Sequence, residues 1–86
     1  MIRQELLDSL LCPATRTRLS VADPALVARL NQAVAAGRLQ NVSGQEVERP
    51  LDTALIRQDG TLAYPVRDGI PIMLVDEGIL LAQLDQ

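Results

Sequence analysis

Two Asp-Gly steps, Asp59-Gly60 and Asp68-Gly69, punctuate the stretch TALIRQDGTLAYPVRDGIPIMLV and constrain the fold more than any other feature. A chain that reverses twice in so short a span, each time between apolar segments, builds antiparallel hairpins. Asp59-Gly60 suits a type I′ turn joining Ala54–Gln58 to Thr61–Val66. Asp68-Gly69 repeats the device and leads into a further apolar strand, Ile70–Val75. Pro65 and Pro71 flank the second turn, and neither has a backbone donor. Each is therefore expected at an edge, a strand end or a bulge.

The rest of the chain reads as helices and short strands around this unit. Leu6, Leu7, Leu10 and Leu11 have helical spacing over Ile2–Leu11, and Pro13 stops that helix. Thr17, Leu19 and Val21 alternate with Arg18 and Ser20, a half-buried strand within Thr15–Ala22. Asp23 is a good N-cap, and Pro24 fits the first helical position after it. Leu26, Val27, Leu30, Ala33 and Val34 form one apolar face, Arg29 and Gln32 face away, and Gly37 terminates the helix. Ser43-Gly44 turns a short hairpin between Leu39–Val42 and Gln45–Glu48, closed off by Pro50. Asp76 is a possible N-cap for a last helix, which Gly78 weakens. The order is α-β-α-β-β-β-β-α: a single α+β domain over residues 1–86, with 22–52 a helical and hairpin insertion between two halves of one small antiparallel sheet.

Size limits how this fold is held. At 86 residues the chain buries only about 60–65% of its unfolded surface. Domains this small often lean on a disulfide, a metal or a partner. One cysteine and no histidine exclude an internal disulfide and leave no plausible site for a structural zinc. Aliphatic packing, or another chain, must supply the stability. Net charge is −3 with a pI near 4.7, which argues against direct nucleic-acid binding, since phosphate contact needs a basic face. All eight cations are Arg, consistent with a compositional bias. No apolar run approaches the roughly 20 residues of a membrane span. The N-terminal apolar stretch ending at Cys12 superficially resembles a lipoprotein signal. Glu5 and Asp8 interrupt it, and Leu11 stands where a small residue is expected, so an amphipathic helix and a cytoplasmic location follow.

Little in the chain can perform chemistry. Without histidine there is no Ser-His-Asp or Cys-His arrangement, and without lysine no Schiff base or phosphate-binding loop. The glycines form no phosphate cradle, and the acids are scattered; the adjacent Asp76 and Glu77 suit a helix N-terminus. Cys12 follows a helix C-terminus, which disfavours a thiolate and favours a small buried hydrophobe. Tyr64, the one aromatic, is either a recognition residue or a packing residue with its hydroxyl at the rim. Arg67 can pair with Asp68 or with a partner's carboxylate. The expectation is a non-enzymatic chain that needs no cofactor.

LLDSLLCPATRTRL, together with ALIRQDGTLAYPVRDGIPIMLVDEGILL, resembles the small zinc-ribbon family that includes the bacterial YcaR-like proteins and the activator subunit of tRNA and protein methyltransferases. The likeness covers residues 4–19 and 53–81, and YPVRDGIPIML is its more specific part. In that pattern an N-terminal helix runs into C-P-x-C, and further cysteines follow. Here only Cys12 remains; Thr15 stands at the second metal position, and Arg57 and Gly60 where the later cysteines would fall. The resemblance therefore implies a zinc-ribbon-like sheet without its ion. A structural zinc contributes on the order of 10 kcal/mol in small fingers, and the inserted helix is a candidate for making up that loss.

By the same resemblance the chain would be an adaptor. Family activators pair with an S-adenosylmethionine-dependent methyltransferase, cover an apolar surface of it, extend its sheet at an edge and add no catalytic residue. The partner-binding positions would be Tyr64, Arg67, Ile70, Ile72, Met73, Leu74 and Val75. Independently of the resemblance, the run Ile70–Val75 is more apolar than one buried face requires. Either both its faces are covered or one awaits a partner. The alternative is a self-associating protein that buries the same edge against its own copy.

Overall fold

The computed structural model describes residues 17–85. The expected helix Ile2–Leu11, Pro13, Cys12 and Thr15 lie outside the described residues.

The architecture is α+β. Strand β1 (Leu19–Val21) is followed by helix α1 (Pro24–Ala35), β2 (Thr53–Arg57), β3 (Leu62–Arg67), β4 (Ile70–Pro71) and β5 (Ile79–Leu80). Two 3₁₀ turns, Val75–Glu77 and Leu81–Asp85, flank β5. The strands form one antiparallel sheet in the order β1-β2-β3-β4, with β5 also on β3. Leu55 lies opposite both Val21 and Tyr64, which fixes the register across the three long-paired strands.

α1 forms where its caps dictate. The Asp23 carboxylate accepts the Leu26 N–H at 2.8 Å, and Pro24 begins the helix. At the other end Gly37 N–H donates to the Val34 carbonyl and Arg38 N–H to the Ala33 carbonyl, the paired bonds of a Schellman motif. Leu30, Ala33 and Val34 are buried, with Leu26 and Val27 partly so, while Arg29 and Gln32 face outward.

The sheet is apolar on both sides. On one side Ala54, Ala63 and Ile79 meet α1, with Leu39, Val47 and Leu51 from the segment between α1 and β2. Residues 22–52 therefore supply most of the core on this side. On the other side Leu19, Leu55, Leu62, Tyr64 and Val66 cluster, with Met73 packed against them. Period-two alternation along β1, β2 and β3 explains the sorting. Val21 departs from it at 48% exposed, because it ends its strand at the mouth of a cleft.

The segment after α1 makes only a minimal hairpin. Gln40 and Glu46 form a single bridge, where two short strands were expected. The buried Asn41 side chain does the organising: its Oδ1 accepts from Ser43 N–H, Ser43 Oγ–H and Gln45 N–H at 2.6–3.1 Å.

Both Asp-Gly turns exist, but they differ. At the second, Arg67 and Ile70 pair directly, and Asp68 (φ 56°) and Gly69 (φ 75°) are both left-handed, as type I′ requires. Among the described residues Asp68 is the only non-glycine with positive φ. The first is therefore not type I′, contrary to expectation. Its connection runs from Gln58 to Thr61, only Gly60 is left-handed, and Gly60 N–H donates to the Arg57 carbonyl. Asp59 keeps its negative φ because its carboxylate is used locally, accepting the Thr61 N–H and Oγ–H.

The two prolines act differently on the ladder. Ile72 N–H donates to the Pro65 carbonyl, so the return bond of a regular ladder would start from Pro65 N, which has no hydrogen. There β4 stops, and the outer side of β3 passes from β4, opposite Val66 and Arg67, to β5, opposite Leu62 and Ala63. Pro71, opposite Val66, lies between these bonded positions and turns its N outward, along the edge.

The tail differs from the expected helix. Asp76 lies inside the 3₁₀ turn rather than capping a helix, and Ile79–Leu80 is a strand. Gly78 explains the change: it is extended (φ −60°, ψ 149°), and a Cβ there would sit 3.2 Å from a Leu62 methyl. After it, Leu81–Asp85 is helical, as 3₁₀.

Candidate partner-binding site

The surface of interest grows out of the type I′ turn. Asp68-Gly69 sends the chain back along β3 for only two residues. The expected strand Ile70–Val75 is thus corrected to Ile70–Pro71, an irregular stretch Ile72–Leu74 and the 3₁₀ turn from Val75. The missing donor at Pro65 ends the ladder. Ile70 is 62% exposed, Leu74 63% and Val75 46%. Ile72 and Met73 are half-buried, Met73 against the second-face cluster. The segment is anchored from beneath and presents three branched aliphatic side chains to the outside.

The other two expected partner-binding residues are placed differently. Tyr64 is fully buried beside Leu55, Leu62 and Val66, so neither recognition nor a rim position holds for it. It supports the segment through the core that Met73 joins. Arg67 donates from Nε to the Pro50 carbonyl at 3.3 Å and from Nη2 to the Arg49 carbonyl at 3.1 Å. Its guanidinium closes the 49–50 segment over β3 and does not pair with Asp68. The Asp68 N–H instead donates to the Asp52 carboxylate.

The later metal positions suggested by the resemblance, Arg57 and Gly60, meet at the β2–β3 turn. There Arg57 holds Asp59 with two nitrogens, Nε to Oδ1 at 3.0 Å and Nη2 to Oδ2 at 2.8 Å, and Nη2 also donates to Thr61 Oγ1 at 2.7 Å. The Arg57 bonds, followed by the Thr61 N–H and hydroxyl, lower the Asp59 pKa from 3.8 to about 2. Among the described residues no group of three or more His, Cys, Asp or Glu is placed to hold a metal ion. Nor is any helix among them long and apolar enough to cross a membrane.

One feature had no signal in the sequence. A cleft of about 520 Å³ opens at the end of the sheet, lined by Val21, Ala22, Pro24, Thr53, Val66 and Gly69, with Asp52 its acidic member. It gathers residues from three strands, a helix start and a turn. Only the register brings them together.

No protein-family model matches the chain. A UPF0434 protein of Methylobacterium sp. (strain 4-46) is 41% identical over 61 residues, which cover 71% of this chain and 82% of that protein. A UPF0434 protein of Ehrlichia ruminantium (strain Gardel) is 36% identical over 78 residues, 90% of this chain and 91% of its own length. The solution NMR structure of XF2673 from Xylella fastidiosa has a similar fold, with a TM-score of 0.76 and 31% identity, over 96% of this chain and 86% of that one. With sequence identity spread over most of both chains, and a backbone that follows the same path, this chain belongs to the UPF0434 family of small, YcaR-like bacterial proteins.

Proposed function

We propose that the chain is a non-catalytic binding module that stabilises an S-adenosylmethionine-dependent methyltransferase acting on tRNA or on a translation factor. The observation that carries this reading is the exposure of Ile70, Leu74 and Val75 on a segment that Met73 anchors to the core cluster beneath it. Three large aliphatic side chains held in water on a chain of this size favour a covering partner. The stretch Tyr64–Leu74, which resembles the activator subunits, supports a methyltransferase as that partner. On the same reading the fold is a zinc ribbon whose ion has been exchanged for the Arg57–Asp59–Thr61 clip at the β2–β3 turn. The test is affinity purification of the tagged chain from its native cells, with the co-eluting proteins identified by mass spectrometry. A stoichiometric methyltransferase is expected. Recovery of the chain alone, as a homodimer by light scattering, would replace this reading with self-association.

A further inference from the structure

Resting on that reading, we infer how the partner is held: Ile70, Leu74 and Val75 insert as side chains into an apolar depression of the methyltransferase rimmed by Lys and Arg, and no strand is added at β4. Three observations carry this.

The first is the chemistry of the edge. β4 is two residues long, and the Ile70 and Ile72 backbone groups are turned toward β3. The residue facing outward between them is Pro71, which offers a carbonyl and no N–H. Strand addition relies on alternating main-chain donors and acceptors. An outward proline on a short edge is the device by which sheets refuse such pairing.

The second is preorganisation. Met73 packs into the core cluster under the sheet, and the Val75–Glu77 turn is closed by Glu77 N–H to the Leu74 carbonyl. The exposed side chains are thus held on a fixed backbone, which lowers the ordering cost of docking.

The third is charge. Asp68 precedes the segment, and Asp76 and Glu77 follow it; none makes a salt bridge with another described residue. Arg67 is the one cation from 67 to 77, and its guanidinium lies on the Arg49 and Pro50 carbonyls. Glu77 shares a polar depression with Arg49 and Arg67, where Glu46 and Glu48 also stand, so acids outnumber cations there too. In a two-fold pairing of copies through this segment, like charges would be brought together. A basic rim on a different protein complements them.

The experiment measures retention of the methyltransferase on the tagged chain at rising salt, for wild type and three variants. Leu74→Ser and the double change Asp76→Lys with Glu77→Lys are each expected to lower retention about tenfold or more, and wild-type retention to fall from roughly 0.05 to 0.5 M salt. Pro71→Val, which restores an outward N–H, is expected to leave retention within about twofold. Leu74 and Asp76 are exposed, so circular dichroism of the variants should match wild type. A rise of tenfold or more with Pro71→Val would overturn the inference in favour of strand addition while leaving the adaptor reading intact. Retention that ignores Leu74→Ser, or that improves on charge reversal, would do the same. A dimer of this chain that Leu74→Ser dissociates would put a second copy in the methyltransferase's place. Absence of any methyltransferase from the wild-type eluate would remove the inference and the adaptor reading together.

Discussion

The Asn31 side chain bonds Leu51 as a neighbouring strand would: its Oδ1 accepts the Leu51 N–H at 2.8 Å, and its Nδ2 donates to the Leu51 carbonyl at 2.9 Å. One carboxamide thereby joins α1 to the segment entering β2, beside the buried Leu51 side chain. Replacing it leaves both Leu51 backbone groups without their partner. Asn31→Ala should therefore cost about 2–3 kcal/mol, read as a lowered urea midpoint with an unchanged slope.

The Arg57–Asp59 clip makes stability depend on pH in a defined direction. The folded pKa of Asp59, about 2, lies below its ordinary value of 3.8. A carboxylate depressed on folding stabilises the fold above its unfolded pKa, and that contribution is lost as pH falls toward the folded value. The urea-midpoint gap between wild type and Asp59→Asn should thus be present at neutral pH and close between pH 3.8 and about 2. The Asp59 carboxyl carbon resonance should titrate with a midpoint of about 2.

The second Asp-Gly turn has the stricter backbone. Asp68 and Gly69 both have positive φ, and a Cβ at Gly69 would meet no atom within 4 Å, so any penalty there is conformational rather than steric crowding. Gly69→Ala should cost about 1 kcal/mol, whereas Asp68→Asn, which the same turn favours, should be neutral or slightly stabilising. Thermal melts of the two variants check the contrast.

Buried and exposed leucines should separate cleanly. Leu30 is fully buried between α1 and the sheet, so Leu30→Ala should cost about 2–5 kcal/mol. Leu74 is 63% exposed, so Leu74→Ser should change stability by no more than about 0.5 kcal/mol. Urea unfolding of the pair tests whether the exposed segment serves the fold or something outside it.

What the sequence made legible was local. Asp23, Pro24 and Gly37 delimit α1 because caps act within one turn of the helix. The two Asp-Gly steps mark both reversals, since left-handed positions favour few residue types. The misses needed information from elsewhere in the chain. Asp59 keeps a negative φ, outside type I′, where Arg57 and Thr61 together hold its carboxylate. Ile70–Val75 is apolar enough for a strand, yet the sheet has no bonded place for it beyond Pro71. Ile79–Leu80 becomes a strand because β3 leaves Leu62 and Ala63 open beyond Pro65. At the site, the sequence marked the apolar run Ile70–Val75 and left open whether it is covered. It did not separate Ile70, Leu74 and Val75, which face outward, from Tyr64, which is buried among Leu19, Leu55, Leu62 and Val66.

Stabilisation of a methyltransferase by this chain can be read from melting profiles of the whole proteome in native cells with and without the chain. An S-adenosylmethionine-dependent methyltransferase should melt several degrees lower in cells lacking the chain, and wild type should restore it while Leu74→Ser does not. Unchanged melting of every methyltransferase in those cells would contradict it.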